Sequence, residues 1–300
     1  MRNIHKIIED GDLDELREAV KMGIDVDEQH YEESDGETAL FFANPEQAKI
    51  LIAAGSNVNH VNDKGDNALF HIDYLENVSQ QYKKMEILLK AGININQNDN
   101  YGKSCLFSGS LNLKMIKLLE KYNIDLKHTD KHGRNVLNHL YYDEQLPVVK
   151  YLVEEKGVPV LNDLISNQTI LFSLYSPKIA QFYINKGVDI NHVDDEGNTA
   201  LMTAHTKEMM EFLILNHCAL HQVNNEGKNA IDYCCYYSQF VQLLLERNVD
   251  ILSPLKNYEM YKESYKLIKH RFDILEEKNI INAAINNPVS NESLTVKKRL

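Results

Sequence analysis

A turn phrase that returns at a nearly fixed interval is the feature that most constrains this chain. Its turn position is filled in order by Gly23, Gly55, Gly92, Asn123, Gly157, Gly187, His217 and Asn248, at intervals between 30 and 37 residues. Every occupant is Gly, Asn or His, the residue types that best tolerate a left-handed backbone at the end of a helix. The period predicts one small unit repeated along the chain, and such a unit buries too little alone and must stack on its copies.

A second recurring phrase lies between these turns and has the form of a hairpin followed by Thr/Asn-Ala-Leu. It reads DGETAL from Asp35, DKGDNAL from Asp63 and DEGNTAL from Asp195. Each unit therefore begins with a hairpin and continues into a short apolar segment.

Helix signals follow each hairpin. In the first internal unit, the Thr38 hydroxyl is suited to cap a short helix, and Pro45 is suited to the first position of a second helix. Ala48, Leu51 and Ile52 fall on one helical face. The sequence predicts hairpin, short helix, turn and longer helix in each unit.

Some units depart from this pattern. Asn167 stands where the other hairpins carry Gly, so the unit that begins near Asn162 is the least regular. Two units carry extra residues, around Tyr74–Lys83 and Tyr141–Pro147. We expect insertions in a stack of repeats to leave as loops, and such loops often reach a ligand.

These phrases resemble the ankyrin repeat, over about residues 3–252, with Phe at Phe41, Phe70, Phe107 and Phe172 where the family usually has His. Several units are shorter than the family norm, as in compact bacterial ankyrin proteins. The resemblance implies an all-α fold, an ankyrin-repeat solenoid of stacked helix pairs with β-hairpin-like loops. It gives a capping repeat at 1–34, about seven repeats at 35–252, capping helices at 253–286 and a flexible tail at 287–300.

The predicted C-terminal cap depends on an apolar stripe at helical spacing. Its members are Tyr258, Tyr261, Tyr265, Ile268, Phe272 and Leu275. We expect the stripe to pack on the last repeat, with a partner or dimer seam as the alternative.

The formal net charge of −12 is unsuited to nucleic acid, whose phosphates attract basic surfaces. Residues 1–35 hold twelve acidic and four basic side chains, so much of the acidity lies at one end. This end is either a solubilising surface or a docking site for a basic partner. We find no secretory signal and no apolar run of membrane-spanning length, and we therefore expect a cytoplasmic protein without membrane insertion.

No catalytic or metal-binding pattern stands out. The twelve histidines form neither HxxxH nor HExxH, and no Ser-elbow or Gly-rich dinucleotide loop is present. Lys103-Ser104 resembles the end of a phosphate loop but belongs to the repeated hairpin, and the acidic run around Asp195 lacks the bidentate Glu of a calcium loop. The four cysteines are expected to be reduced. We predict no cofactor, no metal and no enzymatic activity.

The resemblance implies a concave groove lined by hairpin tips and by one variable position in each first helix. It places Tyr31, Lys64, Tyr101, His132, Glu196 and Glu226 at the tips. It places Phe42, His71, Ser108, His139, Ser173, Thr203 and Tyr233 at the variable position. Because aromatic anchors carry a large share of binding energy, Tyr31, Phe42, Tyr101 and Tyr233 lead this set of partner-binding residues.

The predicted function is therefore to bind another protein. The resemblance suggests an immunity or antitoxin-type inhibitor of a bacterial toxin, and a basic toxin or enzyme would suit the acidic end. A secreted effector that engages a host protein is the alternative, and an enzyme within the C-terminal 45 residues is a third. The sequence names neither the partner nor the oligomeric state, and it leaves open whether the concave or the convex face binds.

Overall fold

The structure is a computed structural model that forms two compact units, Met1–Val188 and Asp189–Leu300. It describes residues 3–29, 35–75, 77–107, 111–161, 166–234, 238–247, 266–271 and 273–278. Within these residues the secondary structure is helical, and β-pairing is limited to the isolated bridges Gln29↔Thr38 and Val193↔Thr199. The all-α prediction is confirmed.

The first unit consists of alternating short and longer helices. Its α-helices are α1 (Ile4–Asp10), α2 (Leu13–Lys21), α3 (Ala39–Phe42), α4 (Pro45–Ala53), α5 (Val78–Lys90), α6 (Leu113–Lys121), α7 (Leu146–Lys150) and α8 (Pro177–Asn185). A π-helical turn, Tyr151–Glu155, extends α7. In the later repeats the first helix is a single 3₁₀ turn, at Ile72–Tyr74, Cys105–Phe107, Val136–His139 and Ile170–Phe172, and a further 3₁₀ turn spans Asp143–Gln145.

The second unit repeats this arrangement. Its helices are α9 (Lys207–Leu215), α10 (Ala230–Cys234) and α11 (Ser238–Glu246), and α10 packs on α11. Residues 266–271 and 273–278 are also helical, and Ile268 is fully buried there. Tyr258, Tyr261, Tyr265, Phe272 and the predicted tail at 287–300 lie outside the described residues.

Left-handed backbone occurs at the predicted turns. Asn123 and His217 have φ of 63° and 61°, and the five Gly of the same phrase also have positive φ. Asn167, which replaces a hairpin Gly, has φ of 56°. Asn248 lies outside the described residues. The residue choice at these positions therefore has a conformational cause, since the left-handed region is costly for most side chains.

The helix-start signals of the first internal repeat are confirmed in part. Pro45 begins α4, and Asn44 caps it with a capping box to Gln47. Thr38 occupies the position before α3, but its hydroxyl makes no capping hydrogen bond, so that prediction is wrong. The buried Thr38 joins the bridge to Gln29, and the four-residue α3 has few free N–H groups to cap.

One Asn or Asp organises each of five described hairpins. Asn62 Oδ1 accepts hydrogen bonds from the backbone N–H groups two and four residues later, at 3.0 and 2.9 Å. Asp99, Asp130, Asp194 and Asn224 repeat this geometry. The oxygen satisfies two turn donors that would otherwise lack partners, and the hairpin tip is thereby fixed.

Neighbouring hairpins are joined through their backbones. Asn100 N donates to Lys64 O at 2.8 Å, and Lys131 N donates to Tyr101 O at 3.0 Å. In the second unit, Asn225 N donates to Glu196 O at 2.9 Å. The tips therefore form a row within each unit, and successive repeats have a fixed register.

The longer helices carry most of the core between repeats. Within the first unit α2 packs on α4, α4 on α5, α6 on α7 and α7 on α8. Fully buried side chains such as Leu16, Leu51 and Leu88 fill these interfaces. Each contributes about 1.5–3 kcal/mol through burial of apolar surface.

The two insertions differ from the loops that we predicted. Most of Tyr74–Lys83 is helical, because α5 begins at Val78 and runs for 13 residues where α4 and α6 have nine. The Asn77 side chain caps its start, and no helix breaker follows. The second insertion forms the 3₁₀ turn Asp143–Gln145. Both segments still place a tyrosine at the end of the first helix.

Candidate functional site

The described hairpin-tip residues occupy equivalent positions. The backbone N–H donates in each case to the Asn or Asp two positions earlier, at Lys64, Tyr101, His132, Glu196 and Glu226. This hydrogen bond fixes the backbone of each tip, and the side chain of the tip residue takes no part in it. Tyr101 is 62% exposed. Lys64 forms an ion pair with Asp35, and Tyr31 lies outside the described residues.

The variable first-helix positions are not equally accessible. Phe42 is exposed, Ser173, Thr203 and Tyr233 are half-buried, and Ser108 lies outside the described residues. The Tyr233 hydroxyl is bonded to Asn224 and Asn198 and thereby ties two hairpins of the second unit together. These hydrogen bonds give Tyr233 a structural role in addition to its predicted contact with a partner protein.

The two histidines at this position pack inward. His71 lies edge-on to Phe41 at 5.1 Å between ring centroids, and His139 lies edge-on to Phe107 at 4.8 Å. Each histidine thus contacts the phenylalanine of the preceding repeat. Burial lowers the pKa of His139 to about 4, so this imidazole is neutral at pH 7. The Nε2 atoms of both rings are buried without a hydrogen-bond partner.

Three exposed tyrosines were missed in the sequence. Tyr74, Tyr142 and Tyr175 are 62%, 54% and 40% exposed, although tyrosine usually buries most of its ring. They follow the first helices of their repeats, two or three residues after the variable position. Tyr74 and Tyr142 lie in the inserted segments, and this was the signal that could have identified them.

The exposed rings form stacked pairs across adjacent repeats. Phe42 and Tyr74 stack at 6.1 Å between centroids with planes 20° apart, and Tyr142 and Tyr175 stack at 5.6 Å and 24°. Both pairs belong to the first unit. We call the surface formed by these pairs and the hairpin tips of this unit the first-helix face.

A cleft of about 270 Å³ opens between two repeats on this face. Its walls combine aromatic and acidic side chains with one lysine, namely Asp66, Phe70, His71, Asp73, Tyr74, Asp99, Lys103, Ser104 and Phe107. Burial and the carboxylates of Glu37, Asp73 and Asp66 raise the pKa of Tyr74. The cleft is therefore a site of negative potential beside an exposed aromatic ring.

Comparisons with known proteins agree with this architecture. Residues 171–254 match the family model described as ankyrin repeats, in three copies. The chain therefore contains ankyrin repeats. A putative ankyrin repeat protein of Rickettsia bellii (strain RML369-C) is 29% identical over 215 residues, which are 70% of this chain and 25% of that relative. The chain thus spans about a quarter of the relative's length.

A solved structure supports the fold. The ankyrin repeat domain of human ASB11 aligns with a TM-score of 0.57 at 18% identity, covering 72% of this chain and 98% of that one. Ankyrin repeats are protein–protein interaction modules, and the family is typically non-enzymatic. The repeats thus indicate a protein–protein interaction module.

The described part of the chain shows no cluster of His, Cys, Asp and Glu able to hold a metal ion. Burial raises the pKa values of the Cys105 and Cys218 thiols to about 12. Both cysteines are therefore protonated at pH 7. Among the described helices, none is both long enough and apolar enough to cross a bilayer.

Proposed function

We propose that this ankyrin-repeat protein grips a protein partner through the first-helix face of Met1–Val188 and catalyses no reaction. The observation that carries the proposal is the pair of exposed aromatic stacks, Phe42–Tyr74 and Tyr142–Tyr175. Leaving such rings in water forgoes the stabilisation that burial would give. Rigid aromatic side chains also lose little entropy when a partner covers them, which suits them to anchor an interface.

The stacks are held in place by the fold. Phe42 ends α3, and Tyr74 ends the 3₁₀ turn of the next repeat. In an ankyrin stack these elements line the concave side, where partners commonly bind. A partner that covers both stacks would also reach the row of hairpin tips that begins with Lys64 and Tyr101.

The partner in this proposal is a basic bacterial protein, and the chain acts as its immunity or antitoxin-type inhibitor in the cytoplasm. The support is the net charge of −12 together with the acidic first repeats. Asp14 in α2 and Glu9 in α1 are 92% and 72% exposed but pair with Arg17 and Lys6, so the long-range field comes from the excess of twelve acidic over four basic side chains in residues 1–35. Such a field would raise the association rate with a basic protein.

The test is recovery of a partner from the native host with matched variants of the full chain. Wild type and Tyr82→Ala are expected to bring down one protein in equal molar ratio. The double variant Tyr74→Ala/Tyr142→Ala is expected to bind it at least about tenfold more weakly, because each anchor contributes 1 kcal/mol or more. Tyr82 is a control of the same chemistry on α5, beneath the Lys114 ammonium.

Loss of binding with Tyr82→Ala and retention with the double variant would place the interface on the second helices and refute the proposal. Expression of the recovered partner then tests the inhibitor role. The inhibitor role requires that the partner stop growth alone and that co-expression of this chain restore growth. A partner that does not stop growth when expressed alone would refute the inhibitor role. A partner encoded by another organism, in which a secreted effector would act, would also refute it and favour the effector role.

A further inference from the structure

The acidic cleft on the first-helix face contains one buried hydroxyl that has no partner. Ser104 lines the cleft and is 3% exposed, and its hydroxyl oxygen has no hydrogen-bond partner. An unsatisfied buried polar atom is costly, so a ligand that donates to this oxygen would remove an existing penalty.

The surrounding charges indicate which donor would fit. His71 Nε2 lies 3.4 Å from Glu37 Oε1 and 3.5 Å from Asp66 Oδ2. Asp73 and Asp99 add two further carboxylates to the wall, against the single ammonium of Lys103. Counting Asp66, Asp73, Asp99 and Lys103, the formal charge of the cleft is −2. The cleft therefore favours a cation.

The shape and lining favour one side chain over a free metabolite. A volume of about 270 Å³ lies just below the usual range for small-molecule pockets, roughly 300–1,000 Å³. Tyr74 and Phe107 offer aromatic faces, and a guanidinium stacks on such faces. Arginine also has five N–H donors and no acceptor, which suits a wall of carboxylates and a hydroxyl.

We propose that this cleft receives an arginine side chain of the partner protein, with the guanidinium between Asp66, Asp73 and Asp99 and against the Tyr74 ring. The Ser104 hydroxyl oxygen accepts a guanidinium N–H at the floor of the cleft. The Lys103 ammonium repels the guanidinium and so lowers the affinity of the cleft for arginine. The inference rests on the proposed protein-binding function, since the arginine belongs to the partner.

The experiment is an NMR titration of the full chain with N-acetyl-L-arginine N-methylamide. The corresponding citrulline derivative is the control, because it has nearly the same shape and no charge. We expect saturable shifts of backbone amides at 71–74 and 99–104, with a dissociation constant of millimolar order. The citrulline derivative is expected to bind at least about tenfold more weakly, as it loses the charge-assisted hydrogen bonds.

Two variants that change the charge of the cleft in opposite directions extend the test. Asp73→Asn is expected to weaken arginine binding by about threefold or more, and Lys103→Met to strengthen it by a similar factor, as expected for single charges near a surface cation. Asp73 is exposed, so its substitution leaves the core unchanged. Glu208→Gln, at an exposed position in the second unit, changes the net charge by the same amount as Asp73→Asn and is expected to have no effect.

Equal amide shifts with the arginine and citrulline derivatives would overturn the proposal. Amide shifts spread over the neighbourhoods of all exposed carboxylates would also overturn it. Unchanged binding in both Asp73→Asn and Lys103→Met would do the same. Because the probe is a free amino-acid derivative, its binding is measured without the partner. A chain that binds the probe but no protein would refute only the proposed function, and the reverse result would refute only the arginine site.

Discussion

The most informative single substitution in this structure is Lys84→Met. Lys84 lies in α5 with no exposed surface, and its Nζ donates to the carbonyl oxygen of Phe41 in α3 at 2.6 Å. Burial lowers the pKa of its ammonium from 10.5 to about 7. The lysine thus joins two repeats with one hydrogen bond, at the cost of a charge removed from water.

The sign of the pH effect follows from these pKa values. The folded pKa is below the unfolded pKa, so the unfolded chain holds more protons between pH 7 and 10.5. The free energy of unfolding therefore rises with pH across this window. Integrated at pH 7, the ionisation of Lys84 in the unfolded chain costs the folded state about 4 kcal/mol, and above pH 10.5 the cost falls below about 0.5 kcal/mol.

Methionine keeps the apolar stem of Lys84 and removes the amine. It also leaves the Phe41 carbonyl without this donor, which costs about 1–3 kcal/mol. We therefore expect Lys84→Met to be more stable than wild type by about 1–3 kcal/mol at pH 7. Above pH 10 the order reverses, and the two curves cross near pH ~9, where the two effects balance.

Urea unfolding followed by circular dichroism at pH 7, 8, 9 and 10 measures this difference. Other titrating groups are common to both proteins and cancel in the comparison. Lys83→Met is the control, because Lys83 is the exposed neighbour on the same helix and should show a small difference that does not change with pH. A Lys84→Met variant that is less stable than wild type by the same amount at every pH would refute the reasoning.

Three further predictions concern the turns, the core and the thiols. His217→Gly should stabilise the chain by about 0.5–1 kcal/mol in urea unfolding, and Gly55→Ala should destabilise it by a similar amount. The reason is that both positions have left-handed backbone. Changes of the opposite sign would contradict this. Leu88→Ala should cost about 2–5 kcal/mol, and a loss below 1 kcal/mol would mean that α5 is loosely packed. With the other two cysteines replaced by serine, Cys105 and Cys218 should react with a thiol reagent at pH 8 only after unfolding; prompt reaction of the native chain would contradict their burial.

The sequence predicted the repeat and its turns because their cause is local. A left-handed turn restricts the residue that occupies it, so Asn123 and His217 could be recognised where Gly is usual. The resemblance placed the hairpin tips, and the structure gives them a local cause, since Lys64 and Tyr101 each donate to an Asn or Asp two residues earlier. The resemblance supplied the order in which these local units stack.

Features that arise between repeats could not be predicted in this way. A lysine in a helical pattern is usually assigned to the exposed face, and only the neighbouring repeat buries Lys84 and supplies its acceptor. His71 was placed in the groove by its position, yet Phe41 of the preceding repeat draws it inward. Tyr74 was not identified because it lies in an insertion, and the helix in that insertion depends on the cap at Asn77.

Hydrogen–deuterium exchange of the full chain with and without its purified partner tests the central claim most directly. The account predicts that a saturating partner slows exchange at 70–75, 101–107 and 139–145, which carry the exposed rings and the cleft. It predicts little change in α5 and α6, which carry none of these rings. Protection confined to α5 and α6, with the first-helix face exchanging as in the free chain, would contradict it.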